Sequence, residues 1–208
     1  MTKVKICGIT NLRDALLAVE FGADALGFNF HRGSPRYIEP MAAGEICRQL
    51  PGRVLKVGVF VNEPIDSITN ISGVAKLDAI QLHGDETEDF VRAIAERTGL
   101  QTIKAFRVTH RFELEVLQRY APDAFLLDSW SATERGGTGE KFDWIAATLA
   151  RQMVRKLYLA GGLNPENVAE AIDTVGPYAV DACSGLESSK GIKDREKMRL
   201  FIERAKLQ

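Results

Sequence analysis

A cysteine followed by glycine closes the first β-rich run of this chain, "KVKICGIT" over residues 3–10. Strand alternation puts Lys5 and Cys7 on one face, and in a later run, "AFLLDS", it puts Leu126 and Asp128 on one face. A thiol and a carboxyl at two strand tips suit proton shuttling, in which one group removes a proton while the other supplies one. The bland alternatives are a small buried hydrophobe for Cys7 and a capping or loop-bracing carboxylate for Asp128. Lys5, one pleat below Cys7, either favours the thiolate or forms an ion pair in the floor of the fold. His83, in "QLHG", either holds a neighbouring group by a hydrogen bond or acts on substrate itself.

Two glycine-rich turns follow late strands. "LAGGLNPENV" carries Gly161 and Gly162, and "DACSGLESSKGIKD" carries Asp181, Ser184 and Gly185. Glycines let a backbone approach an anion closely, and N–H groups at a helix start point toward it. Together the turns suggest a phosphorylated small molecule. Arg36 lies in the long connection "HRGSPRYIEP" and is either solvated or a recogniser of a carboxylate. "SATERGGTGEKFDW" is another long connection, either a mobile cover over the site or a plain linker.

These tips must be brought together by regular elements. β-rich runs begin at Val4, Ala25, Val54, Ala79, Thr102, Ala124, Leu157 and Ala179, about every 25 residues, the length of one strand plus one helix. Helical patterns lie between them. Asn11 caps a helix with Leu12, Ala15, Leu16 and Val19 inward, and Thr87 caps one that Gly99 ends. Asn164 and Pro165 read as N-cap and first helical residue of another, and a last helix starts near Asp194. Eight βα units predict an α/β fold, a single (β/α)8 TIM-barrel domain over residues 1–208, with an open doubly wound sheet as the alternative. In a barrel the polar tips gather at one rim, and the loops after strands seven and eight form the common phosphate site.

Composition narrows the function classes. The chain has 208 residues, 45% of them hydrophobic and 26% charged, with a net charge of −1. That balance offers no general attraction for nucleic acid or acidic membrane surfaces. No apolar run is long enough to span a bilayer, and the start lacks the pattern of a signal peptide. The three cysteines, Cys7, Cys47 and Cys183, are widely spaced, which argues against a disulfide framework and fits a reducing cytoplasm. The histidines (His31, His83, His110) are scattered and no metal-ligand spacing occurs, so no metal site is expected. Either a monomer or a homodimer is compatible with the sequence.

The motif set resembles the phosphoribosylanthranilate isomerase family. "KICGIT", "GFNF…SPRYI", "VGVFVN", "QLHGDE", "LLDS", "GGTGEKFDW", "LAGGLNPENV" and "DACSGLESSKGIKD" carry the resemblance, which runs from Lys3 to Asp194. It implies conversion of N-(5-phosphoribosyl)anthranilate to 1-(2-carboxyphenylamino)-1-deoxyribulose 5-phosphate, an Amadori rearrangement of tryptophan biosynthesis. It further implies Cys7 as general base and Asp128 as general acid, with no cofactor. By the same resemblance Arg36 holds the anthranilate ring and carboxylate, and backbone N–H groups around Gly161, Gly162, Ser184 and Gly185 hold the phosphate. Asp181 contacts sugar hydroxyls, and Gly8 lets the substrate approach. The chain departs from the family pattern at Cys183, where serine is usual, which puts a second thiol near the site. Two rival readings remain: a histidine-pathway aminoaldose-phosphate isomerase, which the resemblance associates with two aspartates, and a non-catalytic phosphate-binding barrel.

Overall fold

The β-rich runs are strands of one closed, all-parallel barrel. In the computed structural model, which describes residues 1–109, 112–129 and 142–208, they are β1 (Lys3–Ile6), β2 (Ala25–Asn29), β3 (Leu55–Phe60) and β4 (Ala79–Leu82), then β5 (Gln101–Val108), β6 (Ala124–Ser129), β7 (Leu157–Ala160) and β8 (Ala179–Ala182). Each strand pairs with the next, and β8 closes on β1. An open doubly wound sheet is therefore ruled out. The strands read as near-continuous apolar runs because both faces are covered. Ala25, Val57, Ala79, Ile103, Ala105, Leu126 and Tyr158 form an apolar cluster that is distinct from the larger one. Phe28, Phe60, Ile80, Leu82, Leu127 and Val180 belong to that larger cluster, with the buried faces of the helices. Alternation along each strand places the first set inside the barrel and the second beneath the helices.

The helices are α1 (Leu12–Phe21), α2 (Pro40–Cys47), α3 (Ile65–Ala75), α4 (Glu88–Thr98), α5 (Phe142–Met153), α6 (Val168–Val175) and α7 (Arg195–Lys206). Asn11 accepts from the Asp14 N–H, Thr87 from Phe90, and Asp194 from Glu196 and Lys197, so these three caps act as their residue types dictate. Gly99 adopts the left-handed conformation that ends α4. Among the described residues no helix is long and apolar enough to cross a membrane.

Two local expectations change. The fifth unit carries a 3-10 helix, Leu114–Arg119, among its described residues in place of an α-helix. Tyr120 is already extended there, and Pro122 disfavours the helical region for Ala121, which leaves little room for further turns. α6 starts at Val168 rather than Pro165. The Asn164 side chain accepts from the N–H groups of Glu166 and Asn167 at 2.9 and 3.1 Å, while Asn167 accepts from the Asn164 N–H at 2.9 Å. These local bonds hold a turn that competes with the first helical residues.

Beyond β8 the chain makes a short antiparallel pair, β9 (Glu187–Ser189) and β10 (Ile192–Lys193), before α7. The Lys193 N–H donates to Asp14 of α1 at 2.8 Å, which ties this excursion to the first βα unit. The segment 130–141, which holds most of the connection read as a possible cover, lies outside the described residues, as does His110.

Candidate active site

Inside the barrel two charged residues are paired away from water. Lys5 on β1 and Asp181 on β8 are register partners, and Lys5 Nζ donates to Asp181 Oδ2 at 2.8 Å with side-chain exposures of 0% and 7%. Burial raises the Asp181 carboxyl to about 6 even against the opposing Lys5 charge. Burial alone would pull the Lys5 ammonium down, but the charges of Asp181 and Cys7 hold it above its usual value. Both sequence readings of Lys5 therefore apply, since it is an ion-pair partner and a cation beside the Cys7 sulfur. The second carboxylate oxygen of Asp181 is buried without a partner among the described residues.

One pleat above this pair stand Cys7 and Cys183. The ladder continues past the strand ends, with the Cys7 N–H donating to the Ala182 carbonyl at 2.9 Å. A hydrogen bond from the Cys183 thiol holds the Cys7 thiol well below its usual range. Burial opposes this, while the charges of Lys5 and Lys193 reinforce it. Cys183 moves the opposite way, pushed up by its bond to Cys7 and by burial, and so keeps its proton. Cys7 is thus the more acidic of the two thiols.

Glycines make the space for this arrangement. A Cβ at Gly27 of β2 would lie 2.7 Å from Cys7 Sγ and 3.1 Å from Cys7 Cα. Replacing Gly27 with alanine therefore displaces the thiol, and a shift of about 1 Å in a reacting group costs on the order of 10²-fold in rate. We expect that loss in kcat for Gly27→Ala, with a native circular-dichroism spectrum. Unchanged turnover would show that the position of Cys7 is not critical. Gly8 has a φ of +73°, and a Cβ there would lie 2.8 Å from Cys183 Sγ and 3.3 Å from the Arg36 side chain. Backbone conformation and packing against Cys183 and Arg36 therefore both call for glycine at this position.

Asp128 lies two residues after Leu126 of the interior cluster, on the same strand face and hence toward the mouth. His83 Nε2 is 3.3 Å from Asp128 Oδ2. On its other side, Gln81 Nε2 is 3.0 Å from His83 Nδ1. With the amide nitrogen as donor, the imidazole carries its proton on Nε2 and presents it to Asp128. The turn after β4 is anchored from outside the barrel. Buried Lys104 donates to Glu86 and to the Gly84 carbonyl, both at 2.7 Å, and Glu86 accepts from the N–H groups of Gly84 and Asn62. Glu86 and Lys104 went unnoticed in the sequence, where a Lys in a strand or a Glu after a turn resembles any solvated charge.

Arg36 reaches the same rim, and its Nε and Nη2 donate to the two Glu187 oxygens at 2.9 and 2.8 Å. That bidentate bond raises the guanidinium pKa further. Burial alone would raise the Glu187 carboxyl, but Arg36 and Lys193 hold it low. Lys193, fully buried at its side chain, donates to the Cys183 carbonyl at 3.0 Å and to Glu187 at 3.3 Å. Glu187 and Lys193 were visible only as letters of the "SGLESSKGIKD" motif. The turns after β7 and β8 meet, for a Cβ at Gly185 would lie 2.2 Å from the Leu163 carbonyl oxygen. Gly161 and Gly162 both have left-handed φ values, +91° and +63°. The structure thus brings Cys7, Asp128, His83, Lys5, Asp181 and Arg36 to one end of the barrel. The glycine turns, with Ser184 opening a short 3-10 helix, lie at the ends of β7 and β8. Among the described residues no group of three or more His, Cys, Asp or Glu side chains could hold a metal ion.

Known proteins share this arrangement's sequence and backbone. A family model described as N-(5'-phosphoribosyl)anthranilate (PRA) isomerase matches residues 4–204. The N-(5'-phosphoribosyl)anthranilate isomerase of Geobacter sp. (strain M21) is 51% identical over 206 residues, covering 99% of this chain and 98% of that one. The crystal structure of phosphoribosyl anthranilate isomerase from Thermotoga maritima superposes with a TM-score of 0.88 at 45% identity, covering both chains completely. A phosphoribosyl anthranilate isomerase in complex with reduced 1-(o-carboxyphenylamino)-1-deoxyribulose 5-phosphate superposes with a TM-score of 0.86 at 43% identity, again over the whole of both chains. With a family model matching residues 4–204 and a relative 51% identical over 99% of its length, this chain belongs to the N-(5'-phosphoribosyl)anthranilate isomerase family.

Proposed function

We infer that this chain catalyses the Amadori rearrangement of N-(5'-phosphoribosyl)anthranilate to 1-(2-carboxyphenylamino)-1-deoxyribulose 5-phosphate, with Asp128 as general acid and Cys7 as general base. What carries the assignment is a thiol held well below its usual range and a carboxyl 3.3 Å from an imidazole at one barrel mouth. Asp128 gives its proton to the furanose ring oxygen. The C1–oxygen bond breaks as the anthranilate nitrogen supplies its lone pair, which leaves an open-chain Schiff base. The Asp128 carboxylate so formed accepts the His83 Nε2–H. The Cys7 thiolate then removes the C2 proton, and the electrons of that C–H bond flow toward the iminium nitrogen. The resulting enolamine tautomerises to the ketone. Each proton transfer of this kind contributes about 10²–10⁴-fold when the group is positioned.

Substrate contacts complete the reading. The backbone around Gly161, Gly162, Ser184 and Gly185 receives the phosphate. Arg36 takes the anthranilate carboxylate through the guanidinium N–H groups that Glu187 does not engage. Asp181 offers its unpartnered oxygen to a sugar hydroxyl.

The test is direct. Phosphoribosylanthranilate generated in situ loses its anthranilate fluorescence on isomerisation, so purified protein should accelerate the decay. No acceleration by folded protein, with turnover of the histidine-pathway aminoaldose phosphate instead, would transfer the chain to that reaction. Binding of phosphorylated ligand without turnover of either substrate would make it a binding barrel.

A further inference from the structure

We propose that Cys7 and Cys183 form a dithiol site that a hydroperoxide closes into a disulfide, reversibly withdrawing the base from the barrel mouth. Three geometric facts place the sulfurs together. The two residues follow Ile6 and Ala182, which are register partners on adjacent strands, and the ladder bond from the Cys7 N–H to the Ala182 carbonyl at 2.9 Å carries that alignment forward. Adjacent strands run about 4.8 Å apart, inside the span of about 4.4–6.8 Å between Cα atoms that a disulfide bridges. The rung directly below is already joined side chain to side chain, Lys5 to Asp181 at 2.8 Å. Finally, Cys183 Sγ lies over Gly8, only 2.8 Å from where a Cβ would stand on the residue that follows Cys7.

The chemistry is divided between the two sulfurs. The Cys7 thiol is held well below its usual range, while that of Cys183 is pushed up, and thiolate character decides which sulfur an oxidant meets first. Cys7 attacks the peroxide, its sulfur takes the terminal hydroxyl, and the alkoxide or hydroxide leaving group gains a proton. The Cys183 sulfur then attacks the sulfenic sulfur of Cys7, the S–S bond forms, and the hydroxyl leaves as water with the Cys183 proton. The thiols lose two electrons and two hydrogens overall, and the peroxide is reduced to alcohol or water. Both cysteines are partly exposed, so a small peroxide has access. Cys47, by contrast, is buried on α2 with its thiol pushed up to about 12, and takes no part. A chain with serine in place of Cys183 cannot resolve the sulfenic acid this way.

Purified protein is treated with hydrogen peroxide, with and without the sulfenic-acid trap dimedone. It is then digested without reduction for mass spectrometry and assayed before and after dithiothreitol. We expect a peptide linking residues 7 and 183 that is two hydrogens lighter than its parts. Activity should fall at least tenfold on oxidation and return on reduction. In Cys183→Ser, which keeps a hydroxyl donor, dimedone should capture Cys7 and no linked peptide should form. The link is read by mass, so it stands or falls independently of the assigned reaction. Absence of the linked peptide, or equal dimedone capture of Cys7 in the two proteins, would overturn the proposal.

Discussion

Replacing Cys7 with alanine should lower kcat by about 10³-fold while the protein folds and binds substrate normally. General-base catalysis by a positioned group supplies about 10²–10⁴-fold, and among the described residues no other thiol at the mouth has its pKa lowered as this one does. Serine should rescue little. Its hydroxyl fits, but the neighbours that hold a thiol ionised cannot ionise an alcohol at neutral pH. The pH profile gives an independent sign. The base works only when deprotonated, so kcat/KM falls as pH falls through the Cys7 pKa. Because the Cys183 hydrogen bond and the charges of Lys5 and Lys193 overcome burial, that acid limb lies below the ordinary thiol range. Measuring kcat/KM from acidic to mildly alkaline pH checks it. A limb centred where an unperturbed thiol titrates would mean that the cations around Cys7 do not act on it. An alanine variant within tenfold of wild type would remove Cys7 from the mechanism.

How much of this was legible in the letters depends on what alternation can carry. Eight apolar runs at near-even spacing predict the barrel because a parallel strand buried on both faces cannot hide its composition. Within a run, period two places Lys5 with Cys7 and Leu126 with Asp128, so the residues of the proposed acid–base pair could be aimed at the mouth before any fold was known. The caps Asn11, Thr87 and Asp194 were readable because each is a local bond between neighbours in sequence.

What escaped is the chemistry that crosses between units. Gly27 looks like any strand glycine until Cys7 of the adjacent strand leans over it. Arg36 and Glu187 are 151 residues apart, and nothing near either one announces a bidentate pair. Lys104 and Glu86 pair across a βα connection, with Lys104 on the outer face of β5 where composition would predict an apolar side chain. Cys183 was visible as an extra thiol, yet its effect on Cys7 follows only from the register of β8 on β1. Local errors had local causes too. Pro122 shortens the fifth helix, and the Asn164–Asn167 turn delays α6, both by giving the backbone an alternative to helical bonding.

The register that escaped the sequence also sharpens the second large effect, at Asp128. Asparagine there keeps the shape and an oxygen for the His83 Nε2–H, so it removes the proton and little else. Asp128→Asn should therefore lose about 10²–10³-fold in kcat yet bind reduced 1-(o-carboxyphenylamino)-1-deoxyribulose 5-phosphate, the ligand held by a crystallised relative, with nearly unchanged affinity. His83 separates donation from support. It contacts Asp128 at 3.3 Å and is itself held by Gln81 at 3.0 Å. His83→Ala should cost less than Asp128→Asn, on the order of tenfold, because it leaves the carboxyl in place and removes only its neighbour. The order of the two losses is the decisive reading. If His83→Ala is the more damaging, the imidazole is the proton donor and Asp128 its orienting partner. If both variants turn over within a few-fold of wild type, ring opening draws its proton from a group outside this pair.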